Sequence, residues 1–326
     1  MRKTVLIKEM RMNKRELVLS LLDDSKHQTH IPAAFFIHFD NIYRSGRPAV
    51  EKHLEYFHYT GMDLIKIQYE TEFPRVPEIE KPEDWCKMPF YGRDFYDNQL
   101  YIAKSLIEAG KKEALVIMTL YSPFMCARST LGGEERITTH IREAPDKVKK
   151  GMEIITESLM TFVKGCIELG IDGFYASTQG AESHRFSDPI YFNTCIKPYD
   201  LLLMEEMNRS CIFNILHICD YRGKYDNLSP FLDYPGHVVS YGKELGGKES
   251  CAKEIYQMFE RPVMGGMDRK GVVATGSEAE IRAQVLEVLR EAPDKFILGA
   301  DCTLPDNASW DNIRIAVAAA HAYERE

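Results

Sequence analysis

The chain has 326 residues, of which 44% are hydrophobic and 28% are charged, with a formal net charge of −8. This balance excludes wholesale disorder, and no apolar run approaches the roughly 20 residues that span a bilayer. The acidic balance gives no indication of nucleic acid or an anionic membrane as a partner. Residues 1–20 are charged and lack an apolar signal-peptide core, so we predict a cytoplasmic protein with reduced cysteines.

Short apolar runs rich in strand-forming residues recur along the chain, and longer amphipathic stretches separate most of them. In chain order, the predicted strands are 31–39, 63–69, 114–121, 172–177, 211–219, 237–242, 262–268 and 295–301. The predicted helices are an N-terminal extension around 13–24, then 48–60, 98–110, 145–169, 190–208, 248–259, 277–291 and 310–324.

Eight apolar runs that alternate with helices predict a (β/α)8 TIM barrel, because the strands of a closed parallel sheet are covered on both sides. An open, doubly wound sheet is the alternative, but no G-x-G-x-x-G follows an early strand. We therefore predict one barrel domain over residues 1–326 with an N-terminal helical extension. The long, Pro-rich segment 71–97 is expected over the C-terminal face of the barrel, where it can act as a lid.

Polar side chains follow the ends of the predicted strands, where a barrel of this kind collects its active-site residues. In chain order they are His38, Gln68, Glu70, Tyr121, Gln179, Glu182, His217, Cys219, Tyr241, Asp268, Arg269, Asp301 and Cys302. Any one of them can serve as an ordinary cap or turn residue. An apolar core, however, does not explain the whole set.

The sequence LHICD contains a His-x-Cys pair, His217 and Cys219, within a predicted strand. Residues i and i+2 of a strand point to the same side, so the imidazole and the thiol can converge on one point. Cys302 follows the eighth predicted strand and faces the same central cavity. One nitrogen and two thiolates suit Zn²⁺, and three protein ligands leave a position open for catalysis. From spacing alone, a buried histidine with two unrelated cysteines explains these residues equally well.

Along nearly its whole length the chain resembles the uroporphyrinogen decarboxylase superfamily, whose members fold as (β/α)8 barrels. The similar segments are MNKRELVLSLLDD, IPAAFFIHFD, YSPFMCARSTLGGEE, ELGIDGFYAS, LHICD, PVMGGMDRKGVVATGSEAEI and ILGADCTLPDNASWDNIRIAVAA. The H-x-C…C arrangement is similar to that of the cobamide-dependent methyltransferases, such as those that methylate coenzyme M. In that branch the matching positions bind a catalytic zinc, so the resemblance implies that His217, Cys219 and Cys302 are zinc ligands.

The chain departs from the true decarboxylases at its N-terminal end. Those enzymes carry an RQAGRY-type arginine motif for the substrate carboxylates, whereas here the first predicted strand continues as HFDNIYRSGRP. Without bidentate arginine partners, we do not expect a porphyrinogen to be the substrate. No Asp-x-His-x-x-Gly run is present, so the methyltransferase resemblance implies that cobalamin arrives on a separate corrinoid protein. The resemblance leaves open whether the small-molecule partner is a thiol acceptor or a methoxy donor.

The remaining strand-end residues receive more specific predictions. Glu182 is the first candidate for a fourth, displaceable zinc ligand, Gln179 for a hydrogen bond to substrate or ligand, and Asp301 for orienting Cys302. His38, Tyr121 and Asp268 are expected to contact the cofactor or to line its pocket, although an ion pair between Asp268 and Arg269 is the favoured interpretation there. A metal-free decarboxylase and a non-catalytic barrel that binds a tetrapyrrole or a corrinoid stay as alternatives. We also consider a homodimer.

Overall fold

Seven parallel strands form one curled sheet, and their order in the sheet is their order along the chain. The computed structural model describes residues 13–325. The strands are β1 (Leu64–Ile67), β2 (Leu115–Tyr121), β3 (Gly173–Thr178), β4 (Ile215–Ile218), β5 (Val238–Ser240), β8 (Val263–Met267) and β9 (Phe296–Ala300). Between β5 and β8 lies a small antiparallel hairpin, β6 (Glu244–Leu245) and β7 (Lys248–Glu249). This arrangement confirms the predicted barrel-like α/β fold.

The predicted first strand, 31–39, is wrong as a regular strand, because only Ala33 forms a bridge, to Leu298 of β9. The Ala34 N–H donates to the Leu298 carbonyl at 2.9 Å, and the Asp63 N–H donates to the Ala33 carbonyl at 3.0 Å. The segment therefore contacts both edges of the sheet and closes the ring. Pro32 lacks an N–H, which removes one ladder donor and helps to keep this pairing short.

Helices flank the strands within residues 13–325. They are α1 (Lys14–Leu19), α2 (Gly46–Thr60), α3 (Asp97–Gly110), α4 (Pro123–Leu131), α5 (Glu134–Glu143), α6 (Pro145–Glu168), α7 (Ile190–Cys195), α8 (Lys197–Ser210), α9 (Ala252–Phe259), α10 (Val272–Thr275), α11 (Glu278–Glu291) and α12 (Trp310–His321). The helix predicted over 190–208 is interrupted at Ile196, because Pro198 cannot donate the hydrogen bond that would continue the first helix. The prediction also missed α4 and α5, which are short and separated by two glycines.

The long segment 71–97 contains two short 3-10 turns, Pro82–Lys87 and Arg93–Tyr96. Trp85 is fully buried, and its indole N–H donates to Nδ1 of His140 at 3.0 Å. Gly151 of α6 makes room for the indole, since a Cβ there would lie 2.4 Å from the Trp85 ring. The expectation of a lid over the barrel mouth is therefore wrong for the part around Trp85, which is anchored to the outer helices.

The predicted N-terminal helical extension is present as α1, which begins with a capping box between Asn13 and Glu16. Arg15 forms a two-pronged ion pair with Asp172, directly before β3, with distances of 2.5 and 2.7 Å. Part of the sequence on which the absence of a signal peptide was predicted, residues 1–12, lies outside the described residues. Within 13–325, no helix combines the length and apolarity needed to cross a membrane.

Candidate metal centre and cavity

A cavity of about 520 Å³ opens at the C-terminal ends of the barrel strands. Its charged lining residues are Arg44, Lys66, Glu70, Glu72, Arg128, Arg222, Arg269, Lys270 and Asp306. Four of the six basic side chains are ion-paired with carboxylates, and Lys66 and Lys270 are the two without an ion pair among residues 13–325. The polar lining suits a polar small molecule better than an apolar one. Its size is within the range of ordinary small-molecule sites.

The cavity wall brings together His217, Cys219 and Cys302, whose potential ligand atoms all lie within 4.8 Å of one another. His217 belongs to β4, Cys219 follows that strand directly, and Cys302 lies two residues beyond β9. All three side chains are buried. The two-residue spacing on β4 and the position after β9 therefore place these side chains together, as the sequence pattern predicted.

The geometry of the cluster fits a tetrahedral zinc ion. The two Sγ atoms are 3.9 Å apart, and both cysteines are free thiols. Two sulfurs bound to one tetrahedral zinc at about 2.3 Å would be about 3.8 Å apart. A disulfide would need about 2.05 Å. The spacing is that of a thiol hydrogen bond and is also compatible with two ligands of one ion, for which this soft donor set would suit zinc better than calcium or magnesium.

Ser240 fixes the orientation of the His217 imidazole. The parallel register places Ser240 of β5 beside His217, and its Oγ lies 3.0 Å from Nδ1. The Tyr175 ring stacks on the imidazole with centroids 4.7 Å apart, and its hydroxyl lies 3.2 Å from the same Oγ. Since Nδ1 is engaged, Nε2 is the nitrogen available to a metal.

Cys219 receives hydrogen bonds that stabilise a thiolate. The Gln179 amide donates to its Sγ at 3.4 Å, and Arg128 in turn donates to the Gln179 oxygen at 3.1 Å. The hydrogen bond with Cys302 lowers the pKa of Cys219, and His217 acts in the same direction. The same hydrogen bond and burial raise the pKa of Cys302. Gln179 therefore contacts one of the three residues that were predicted to bind a metal.

The predicted ion pair between Asp268 and Arg269 is wrong. Arg269 instead binds Asp301 at 2.5 Å and Asp220 at 2.8 Å through the same nitrogen, and its backbone N–H donates to Asp301 at 2.6 Å. Asp268 accepts the N–H of Lys270 in a local turn. Asp301 follows β9, which pairs with β8, and Asp220 follows β4, which lies two strands from β8 on its other side. Both carboxylates therefore reach the side chain that follows β8, whereas Asp268 accepts a hydrogen bond within its own turn. Asp301 thus anchors the loop that carries Cys302.

The structure does not place Glu182 as a metal ligand. Its two carboxylate oxygens bind Arg185 at 2.5 and 2.8 Å, and one of them also accepts the Gly180 N–H at 2.9 Å. Both side chains of this ion pair are almost fully buried. The Glu182 carboxylate is therefore paired with Arg185 in the interior. It contacts the backbone of Gly180, and the neighbouring residue Gln179 contacts Cys219.

His38 and Tyr121 line the cavity, as predicted for cofactor-contacting residues. Nδ1 of His38 lies 3.0 Å from a Glu70 oxygen, which ties the loop after the closing segment to the loop after β1. Burial raises the pKa of Tyr121, so its phenol stays protonated. Whether either side chain contacts a cofactor stays a prediction.

Sequence reasoning missed Lys66, which points from β1 into the cavity and is buried. Its Nζ donates to Gln68 at 2.7 Å and lies over the rings of Phe36 at 4.5 Å and Tyr175 at 5.2 Å. Within residues 13–325, no carboxylate forms an ion pair with it. Burial lowers its pKa to about 7. A lysine inside the otherwise apolar run DLIKIQY was the available signal.

The uroporphyrinogen decarboxylase (URO-D) family model matches residues 57–323. Among solved structures, the chain is similar to a methyltransferase from Methanosarcina mazei, with a TM-score of 0.73 and 15% identity over 95% of this chain and 98% of that chain. It is also similar to a putative vitamin-B12-independent methionine synthase from Listeria monocytogenes, with a TM-score of 0.51 and 15% identity over 83% and 84% of the two chains. At these identities the likenesses show the fold. No curated protein matches the chain in sequence.

The family match begins within α2 and ends beyond α12, so it includes all seven strands of the curled sheet. It also includes His217, Cys219 and Cys302. The resemblance found in the sequence segments is thereby confirmed at the level of the family. The chain belongs to the uroporphyrinogen decarboxylase (URO-D) family.

Proposed function

We propose that the protein is a zinc-dependent corrinoid methyltransferase, which moves a methyl group between a corrinoid protein and a small molecule such as a thiol. The observation that carries the proposal is the cluster of His217, Cys219 and Cys302 on the cavity wall, with its two sulfurs at a distance compatible with one ion. The similarity to a methyltransferase from Methanosarcina mazei supports it. The absence of an RQAGRY-type arginine motif from the N-terminal part of the chain argues against porphyrinogen decarboxylation.

Each part of the cluster has a distinct task in this proposal. His217 Nε2 and the two thiolates hold the ion, and zinc, when bound, would keep a coordinated substrate thiol deprotonated and nucleophilic. Two anionic sulfur ligands offset the charge of the ion, which preserves the electron density of the substrate sulfur. Gln179 holds Cys219 through its amide, and Ser240 holds the imidazole, so the ligands keep one orientation.

The volume of the cavity is suited to the small-molecule reactant and not to the corrinoid. Its volume of about 520 Å³ accommodates a small thiol or methoxy compound. A corrinoid, which is much larger, would cover the mouth at the C-terminal ends of the strands, where Tyr221 and Arg222 line the rim. The chain supplies mainly positioning, because it holds the sulfur nucleophile opposite the methyl group of the partner's cofactor.

The proposal is tested with methylcobalamin as the methyl donor and the purified, zinc-loaded protein. Thiol-dependent loss of methylcobalamin absorbance, with the methyl thioether as product, is the expected result for at least one small thiol. Methoxyarenes with reduced cobalamin test the opposite direction of transfer. A protein that carries about one zinc in this cluster but transfers methyl in neither direction would contradict the proposed function. Cys86→Ala is the control, since Cys86 is exposed and outside the cavity lining.

Lys66→Met is expected to increase stability and to decrease methyl transfer. An unfolded lysine has a pKa near 10.4, whereas burial lowers the pKa of Lys66 to about 7. Since a difference of one in pKa corresponds to about 1.4 kcal/mol, the parent loses up to about 4 kcal/mol of unfolding free energy as the pH falls from about 10 to 7. Urea unfolding should show this pH dependence in the parent and its loss in the variant.

The effect of Lys66→Met on activity follows from its free N–H donors, which face the cavity. Loss of one charged hydrogen bond to substrate lowers kcat/KM by about ten- to a hundredfold. Lys295→Met is the matched control, because Lys295 is also buried but donates to the carbonyls of Asp23 and Lys26 at 2.6 and 2.8 Å. That variant should lose stability and keep its activity. Unchanged kcat/KM in Lys66→Met would show that Lys66 does not contact the substrate.

A further inference from the structure

A second group of metal-ligand side chains lies at the opposite end of the barrel from the cavity. His30 precedes the segment that closes the ring, Asp63 directly precedes β1, and His321 is the last residue of α12. The potential ligand atoms of these three residues lie within 4.8 Å of one another. Because Asp63 lies at the amino end of its strand, the group is at the N-terminal face, where barrels carry stability rather than catalysis.

Asp63 offers one engaged and one available oxygen. Its Oδ2 accepts the Ala33 N–H at 2.8 Å and lies 2.8 Å from Nε2 of His321. Its Oδ1 lies 3.6 Å from Nε2 of His30, which is too long for a hydrogen bond. Burial opposes ionisation, but the contacts with both histidines hold the pKa of Asp63 well below its usual range. The carboxylate is therefore charged at neutral pH.

Lys14 is a further charged group near this carboxylate. It acts on Asp63 through space. Its Nζ donates to the backbone carbonyls of Gly61 and Met62 instead. Within the described residues Lys14 forms no ion pair with Asp63, so its ammonium group does not occupy Oδ1, which faces Nε2 of His30.

The imidazoles of His30 and His321 lie close to each other and beside the Asp63 carboxylate. Their ring centroids are 4.7 Å apart at an interplanar angle of 40°. Nε2 of His30 is buried, yet it has no hydrogen-bond partner within residues 13–325. An unsatisfied buried nitrogen costs about 1–3 kcal/mol, and an ion shared with Asp63 and His321 would satisfy it. Two imidazole nitrogens and one carboxylate oxygen form a ligand set that suits zinc and the neighbouring transition metals.

We propose that His30, Asp63 and His321 bind a divalent transition-metal ion, with Zn²⁺ as the ion to test. The ion would join three parts of the chain that meet where the ring closes. There the closing segment pairs with β9 only through the single bridge at Ala33 and its few hydrogen bonds. A metal at this point would therefore stabilise the closed barrel. The inference does not depend on the function proposed for the cavity.

The experiment uses the full chain with the cavity cluster removed by Cys219→Ala and Cys302→Ala. This variant should still bind about one Zn²⁺ by elemental analysis after dialysis, and zinc should raise its Tm. Adding His30→Gln and His321→Gln should remove both effects. If that combination does not fold, His321→Gln alone, at a half-exposed helix end, should weaken zinc binding at least about tenfold. Co²⁺ substitution should give a spectrum without a sulfur charge-transfer band, which separates this site from the cysteine cluster.

His27→Gln is the matched control, because His27 is three residues from His30 but exposed and paired with Asp294. It should leave zinc binding and Tm unchanged. The proposal is overturned if the cysteine variant binds no zinc, or if binding persists undiminished after His30 and His321 are replaced. If the cysteine variant binds no zinc, the contact of Asp63 with His30 and His321 is purely ionic. Neither result bears on methyl transfer, which is measured in the parent.

Discussion

Cys219→Ala and Cys302→Ala are each expected to remove the cavity zinc and to lower the rate of methyl transfer by about a hundredfold or more. Replacing a residue that only orients a metal ligand typically lowers metal affinity or activity by about 10- to 100-fold. Removing a direct ligand should lower them by at least as much. The two sulfurs lie 3.9 Å apart on the cavity wall, so removal of either one leaves a two-ligand site. Elemental analysis and the methylcobalamin assay on the same samples measure both effects.

The control for these variants is a cysteine of equal burial that lies elsewhere. Cys166→Ala on α6 removes a fully buried thiol that is not part of the cavity wall. It should lose some stability through the space left in the core and keep zinc binding at the cavity and activity. If Cys219→Ala retained both zinc and full activity, the cluster would have no part in the reaction, and the proposed function would lose its main support.

Strand geometry allowed the sequence to indicate that the side chains of His217, Cys219 and Cys302 could converge, whereas their prediction as metal ligands depended on the resemblance to the cobamide-dependent methyltransferases. His217 and Cys219 are two residues apart, so one strand points them to the same side, and Cys302 follows the strand that ends the barrel. Seven of the eight predicted strands exist, and all of these except β3 are shorter than predicted. The exception, 31–39, is apolar like the others, but its strand pairing within the described residues is limited to a bridge at Ala33, which periodicity cannot reveal.

The partners of charged residues were less predictable, because they depend on neighbours that are distant in the chain. Arg269 was expected beside Asp268, but it binds Asp220 and Asp301 instead. Ser240 was not considered, although the register of β4 with β5 makes it the group that orients His217. These pairings follow from which strands are adjacent and how they are staggered. Local spacing alone carries no such information.

Glu182 lies where the sequence placed it, but its partner in the structure is Arg185, and its role as a fourth ligand stays a prediction. The sequence placed it after β3 near the cavity, and the structure puts it in a buried ion pair with Arg185. Glu182 also accepts the N–H of Gly180, which follows Gln179 directly. Its effect on the site is therefore to hold the loop from which the Gln179 amide reaches Cys219.

Arg185→Met is accordingly expected to lower the free energy of unfolding by about 3–5 kcal/mol while the cavity zinc remains bound. The variant leaves the Glu182 carboxylate buried without its cation, and breaking one side of a buried pair has costs of this size. Urea unfolding and elemental analysis measure the two quantities separately. Arg142→Met is a comparison, since Arg142 also contacts this region but donates only to the Arg185 carbonyl among the described residues.

The double variant Glu182→Gln/Arg185→Met distinguishes a buried ion pair from a metal ligand. It removes both charges together, so it should recover a large part of the stability lost in Arg185→Met, because no uncompensated charge remains. If Glu182 only holds the loop, this variant keeps the cavity zinc through His217, Cys219 and Cys302. If Glu182 is a fourth ligand that exchanges partners, the double variant loses zinc affinity even though its fold is restored, and the role assigned here to the ion pair would be wrong.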